Sequence, residues 1–155
     1  MKALLSTASG GPETLVIGEL PEPAAAPGTV VVSVKACSIN FPDTLIIHDL
    51  YQYKPERPFA PGIELAGVID ACGTGANRFR VGDRVLAIPT WGAMCEEVVV
   101  PEDRVHPLPA GISDEIAAAL PLSYGTTLYA LQDRAALKAG ETLLVLGAAG
   151  GVGLS

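Results

Sequence analysis

Apolar and polar positions alternate with a period of two through much of the first two-thirds of the chain. In TVVVSVKAC the alternation places Val30, Val32, Val34 and Ala36 on one face of an extended segment and Val31, Ser33, Lys35 and Cys37 on the other. This predicts a half-buried strand. Shorter runs of the same texture recur at LAGVIDACG, DRVLAIP and EEVVVP, separated by Gly, Pro and Asp turns. That cadence predicts an antiparallel sheet curled into a barrel or sandwich. The proline-rich PEPAAAPG, residues 21–28, reads as a surface loop.

Beyond Pro109 the period changes. Ser113 is placed to cap a helix whose first turn carries Asp114 and Glu115, where the helix dipole favours negative charge. Pro121 interrupts the helical pattern, so two helices are predicted, over 114 to about 120 and about 124–137, with Gly140 ending the connection. The apolar run at 142–146 then reads as a buried strand. A sheet-forming half followed by helix, strand and glycine turn is the texture of two joined domains, the second barely begun.

Composition narrows the partners. A chain of 155 residues with 49% hydrophobic and 17% charged residues is globular rather than disordered. A formal net charge of -7 argues against a phosphate backbone as partner, because that contact rests on clustered Lys and Arg. The first residues lack the apolar core of a secretory signal, and no run approaches the roughly 18 apolar residues of a membrane span. A cytoplasmic protein with no nucleic-acid or membrane partner is expected. Cys37, Cys72 and Cys95 are odd in number and show no CxxC spacing, so they are read as reduced thiols acting as small hydrophobes in or near strands.

The closing stretch TLLVLGAAGGVGLS carries the chemistry most directly. A strand running into GAAGGVG matches the turn of a dinucleotide-binding fingerprint, in which small residues let backbone N–H groups approach a pyrophosphate. Ala148 stands where the first glycine of GxGxxG belongs, while Gly150 and Gly153 hold the other two places. The confirming crossover helix, second parallel strand and acidic residue about 20 positions on are not in the chain. A fragment of a longer enzyme, inactive alone, is therefore expected.

ACSINFPDTLIIHDLYQ, PFAPGIELAGVI, VGDRVLA, GAMCEEVVVP, AAALPLSYGTTLYAL and the terminal glycine turn together resemble the medium-chain dehydrogenase/reductase family, in its zinc-independent NADPH:quinone oxidoreductase branch. The resemblance implies a mainly β fold with some α, comprising a GroES-like β-barrel catalytic domain at 1–122 and the beginning of a Rossmann cofactor-binding domain at 123–155. It implies NADPH as cofactor, with NADH the alternative. It also implies no metal: where zinc-dependent relatives carry a catalytic Cys and a His, this chain has Asn40 and Ile63, and a catalytic zinc needs three protein ligands.

The same resemblance assigns roles. Asn40 faces the nicotinamide end of the cofactor and, with Tyr51, is counted as catalytic; Asn40 is also the natural N-cap of a short helix begun by Pro42 and Asp43. Asp43 is either a cofactor contact or a first-turn acid suited to the dipole. Tyr51 and Trp91 line the substrate cleft, and Thr126 lies near the nicotinamide amide. Gly150, Gly151 and Val152 supply N–H groups to the pyrophosphate. Relatives often carry Gly where Asp49 stands, which leaves the direction of Tyr51 open. Glu64 is read as structural, either in a buried ion pair or as a surface charge. His48 suits a helix C-terminus and His106 a loop.

The reaction expected is hydride transfer from NADPH to a quinone or α,β-unsaturated carbonyl. Its product anion is phenolate-like or a delocalised enolate, which hydrogen-bond donors or water can stabilise. The alternatives are an enoyl-thioester (acyl-CoA) reductase, or a non-catalytic barrel that binds small hydrophobic molecules or self-associates through the edge of strand 142–146. A homodimer is expected.

Overall fold

The computed structural model describes residues 1–155. Seven strands and four short helices follow in order: β1 Lys2–Ser6, β2 Leu15–Glu19, β3 Thr29–Cys37, α1 Phe41–Ile47, β4 Leu65–Cys72, β5 Arg84–Ala87, β6 Glu97–Pro101, β7 Val105–Pro107, α2 Asp114–Ala118, α3 Pro121–Leu128 and α4 Gly151–Leu154. The four strand-like runs read from the pattern are β3 to β6. They join β7 in one antiparallel sheet of order β6-β3-β4-β5-β7. The β1–β2 hairpin is a separate two-stranded sheet, bridged from Ala3 to Cys95 just before β6 and from Ser6 to Phe59 in the segment before β4. A mainly β architecture with few helices is thus what the alternation produced.

The core gathers on one side of β3, β4, β5 and β6, where Val30, Val32, Leu65, Ile69, Val85 and Val100 are buried together. The alternation predicted for β3 holds only as far as Val34. Its pairing with β4 slips between Val34 and Ala36, and the bulge reverses the faces beyond it. Cys37 therefore packs beside Val34 on the main core, while Ala36 joins Ala66, Leu108, Ala117 and Ala118 on the opposite side. The prediction had these two residues on each other's faces. Val31 is buried as well, at 2% exposure, and α2 lies across β3 and β4.

Gly67 shows how tightly these central strands approach. A Cβ there would sit 2.3 Å from the carbonyl oxygen of Ser33 and 2.8 Å from a methyl of Val32. Only hydrogen fits.

The second half departs further from expectation. Ser113 caps α2 as predicted, accepting from the Ile116 N–H. Pro121 does not leave a gap, however; it opens α3, because a ring nitrogen costs nothing where the N–H is unpaired anyway. The helical stretch then widens to a π-helix over Tyr129–Arg134 and stops short of Leu137. Residues 142–146 form no strand and pair with nothing, and Leu144 and Leu146 are 80% and 84% exposed. A strand exists only with a partner ladder, and this stretch joins neither sheet. The ladder edge on which self-association was expected to rest is therefore not formed. No helix is long and apolar enough to cross a membrane.

Candidate active site

The loop leaving β3 at Cys37 turns at Asn40 into α1. Asn40 has extended backbone (φ -126°, ψ 160°), the conformation of an N-cap, and Pro42 lies within the first turn. Asp43, only 4% exposed, folds back so that its Oδ2 accepts from the Asn40 N–H at 2.8 Å and its Oδ1 from the Gly62 N–H at 3.0 Å. It clamps the loop to the segment before β4. Burial pushes its carboxyl above the usual range, against the two backbone bonds and with the Glu64 charge adding to the rise.

Glu64 is the centre of the arrangement. At 1% exposure it belongs to no ion pair; the two in the chain are Arg57–Asp49 and Arg84–Asp114. Both alternatives considered for it, a buried ion pair and a surface charge, are thus replaced by a third. Its Oε1 accepts from the Ser38 hydroxyl and from the Asn40 Nδ2 at 2.8 Å, and its Oε2 accepts from the Leu122 N–H at 2.7 Å. Leu122 lies in the first turn of α3, so the carboxylate also faces the positive end of a helix. The sequence signal was a single carboxylate set between Ile63 and Leu65 in an apolar run, but nothing in it named three donors brought from distant segments.

This hub fixes the Asn40 side chain. Its amide nitrogen donates to Ser38 Oγ at 2.7 Å as well as to Glu64. Those two acceptors are bonded to each other and lie on one side of the amide nitrogen, so they share one of its hydrogens and the second is used by neither.

Tyr51 packs beside Ile46, Ile47 and Phe59. Its direction was left open by Asp49, and the geometry resolves the point. Asp49 takes the left-handed backbone (φ 59°) in which glycine is easiest, and Arg57 lies 2.8 Å from its carboxylate. That hydrogen bond holds the Asp49 carboxyl below its ordinary range. Tyr53, overlooked in the sequence, stands edge-on to Tyr51 at 5.7 Å and 6.4 Å from Trp91, making an aromatic row.

Two cavities flank this row. One, of about 370 Å³, is bordered by Tyr51, Tyr53, Ile63, Leu122, Arg104 and His106. The other, of about 510 Å³, is bordered by Trp91, Phe59, Met1 and Cys95 and shares Pro89, Thr90 and Arg104 with the first. Tyr51 and Trp91, both expected in one cleft, thus border adjoining cavities. His106 sits in β7 opposite Leu86 rather than in a loop, and His48 ends α1 with Nδ1 2.7 Å from the Thr44 carbonyl oxygen.

The glycine turn forms a separate cluster on α3. Thr126 is exposed, and its neighbour Thr127 makes the contact, donating to the Val152 carbonyl at 3.0 Å. Gly150 gives its N–H to the Gly147 carbonyl at 3.0 Å, and α4 begins at Gly151. At Gly153 a Cβ would lie 2.4 Å from the Gly147 oxygen, so the turn closes only without one. α3 therefore links the two clusters, its start bonded to Glu64 and its second turn to Val152.

Cys95 illustrates a half-buried thiol that is not a nucleophile. Burial pushes it up to about 11 from an ordinary 9.0, and Cys37 is likewise raised. A raised folded pKa stabilises the fold below the ordinary value, and that stability is lost as pH climbs through the interval from 9.0 to about 11. The urea midpoint should therefore fall between about pH 8 and about pH 10.5, and fall less in Cys95→Ser, which cannot ionise there. An equal fall in both proteins would contradict the assignment.

The alcohol dehydrogenase GroES-like domain model matches residues 26–110. Quinone oxidoreductase-like protein 2 of Bos taurus is 40% identical over 141 residues, which are 91% of this chain and 40% of that protein. The crystal structure of human synaptic vesicle membrane protein VAT-1 homolog-like protein superposes with a TM-score of 0.95 at 33% identity, covering 99% of this chain and 50% of that one. The quinone oxidoreductase of Thermus thermophilus, whose structures include a complex with NADPH, superposes at 0.84 with 39% identity, over 99% of this chain and 48% of that one. The chain thus spans half or less of the length of the proteins it matches.

Proposed function

Because the chain belongs to the GroES-like family of medium-chain dehydrogenases/reductases, in its quinone oxidoreductase branch, we propose that its protein transfers hydride from NADPH to a quinone or an α,β-unsaturated carbonyl. The observation that carries this reading is the Glu64 hub, which ties the Asn40 loop to the start of α3, where Leu122 borders a cleft of about 370 Å³ that also exposes Tyr51, Tyr53 and Ile63. Such a cleft binds a planar acceptor by burial and orients it, which is the larger part of what a direct hydride transfer asks of a protein.

The closed glycine turn fits a dinucleotide in having small residues and a packed approach at Gly153. NADPH bound there supplies the hydride. The N–H groups of Gly151 and Val152 are proposed to face the pyrophosphate, with Gly150 holding the turn shut through Gly147 and Thr126 on the open side of α3. Asn40 and Asp43 act as positioning residues, the first held by Glu64 and the second clamping the loop. Tyr51 lines the acceptor site, and water serves as proton donor to the product anion. The boundary between a catalytic unit at 1–122 and a cofactor unit from 123 falls inside α3. The 155 residues alone are proposed to be inactive, because the turn is the only part of the dinucleotide fingerprint they contain.

NADPH oxidation by the protein carrying this chain, followed with a quinone, an enone, an acyl-CoA enoyl thioester and an unconjugated ketone, tests the reading. Turnover is expected with the quinone and the enone and not with the ketone. Turnover confined to the thioester would replace the proposal with an enoyl reductase, and turnover with none would reject both.

A further inference from the structure

Arg104 stands at the partition between the two cavities and borders both. Its Nη1 donates to the Thr90 hydroxyl at 2.6 Å, and its own carbonyl accepts from the Ile88 N–H at 3.1 Å, so backbone and guanidinium are both held. Yet no carboxylate pairs with it: the chain's ion pairs engage Arg57 and Arg84 instead. In a chain of net charge -7, an anchored guanidinium without an acidic partner, facing a cavity, is a feature to explain. Asp103 borders the same cavity but lies beyond ion-pairing distance. The same cavity is bordered by the apolar Ile63 and Leu122, the Tyr51 ring and His106.

We propose that Arg104 receives an anionic substituent, a carboxylate or a phosphate, on the acceptor whose apolar conjugated part lies against Tyr51, Ile63 and Leu122. This rests on the functional reading above for the acceptor's identity, though not for the binding itself. The planar fork of a guanidinium matches either oxyanion with two parallel N–H donors, and the Thr90 bond leaves donors free to do so. The cavity's size suits a single ring with a short substituent, so Arg104 selects among small acceptors by charge.

The test is calorimetric binding of 4-hydroxybenzoate and phenyl phosphate against the neutral 4-hydroxybenzamide, on the 155-residue chain at low salt. Each anion is expected to bind about tenfold more tightly than the amide, the yield of one charge-assisted pair in a partly open site. Preference for the carboxylate alone would indicate a small acid acceptor, and preference for the phosphate alone a phosphorylated carrier; both support the site. In Arg104→Gln the preference of the anions over the amide should shrink to within about twofold, and Arg104→Lys should recover only part of it. Arg104 is exposed, so these variants should fold, and unchanged thermal melting verifies it. Equal binding of charged and neutral probes, a preference that survives in Arg104→Gln, or binding of none of the probes would overturn the inference. Because this experiment uses no NADPH, its failure is distinguishable from failure of the turnover assay.

Discussion

Glu64→Ala is expected to lower the unfolding free energy by about 4 kcal/mol, measured by urea denaturation. The reason is the number of bonds lost, since the Ser38 hydroxyl and the Leu122 N–H are both left without an acceptor and the Asn40 amide keeps only Ser38. Each such loss in a buried site costs about 1–3 kcal/mol, and water entering the vacated space recovers part of it. Glu64→Gln keeps one oxygen of the same shape and should cost about half as much, because its NH2 group must face a donor on one side. The same substitutions should perturb NMR signals of the 38–43 loop and the first turn of α3 while leaving β1 and β2 in place. A Glu64→Ala protein within about 1 kcal/mol of wild type would show that these bonds do not join the loop to the helix.

Gly67→Ala should destabilise by about 3 kcal/mol or more, for a steric reason. The added methyl meets backbone, the Ser33 carbonyl oxygen at 2.3 Å, and that atom cannot retreat without parting β3 from β4 at the middle of the sheet. Gly125→Ala is the contrasting substitution. It lies within α3 with nothing near its added methyl, and a helix interior gains about 0.5–1 kcal/mol when Gly becomes Ala. Guanidinium denaturation of the two variants should therefore move the midpoint in opposite directions. Equal and small shifts would mean that the strands can separate at Gly67 without cost.

Both expectations depend on features that differ in how far the chain announces them. The strands from β3 to β6 are legible because a buried face imposes a period of two, and the caps at Asn40 and Ser113 are legible because capping is a contact within a few residues. Asp43 was legible as a first-turn acid, and it is one. Its second bond, to the Gly62 N–H, crosses to another segment and was not. The glycine turn is similarly visible as a turn, whereas the choice of Thr127 over Thr126 as its contact depends on how α3 is rotated.

The local pattern of this chain was sufficient for its sheet-forming first half, its helix starts and its family resemblance, because each follows from neighbours along the chain. Tertiary structure alone decided the bulge that exchanges the faces of Ala36 and Cys37, the unpaired state of 142–146, and the gathering of Ser38, Asn40 and Leu122 around Glu64. Those outcomes turn on partners 24 to 58 positions away in the case of Glu64. A buried carboxylate must find donors wherever the folded backbone brings them, and no period along the chain records where that will be.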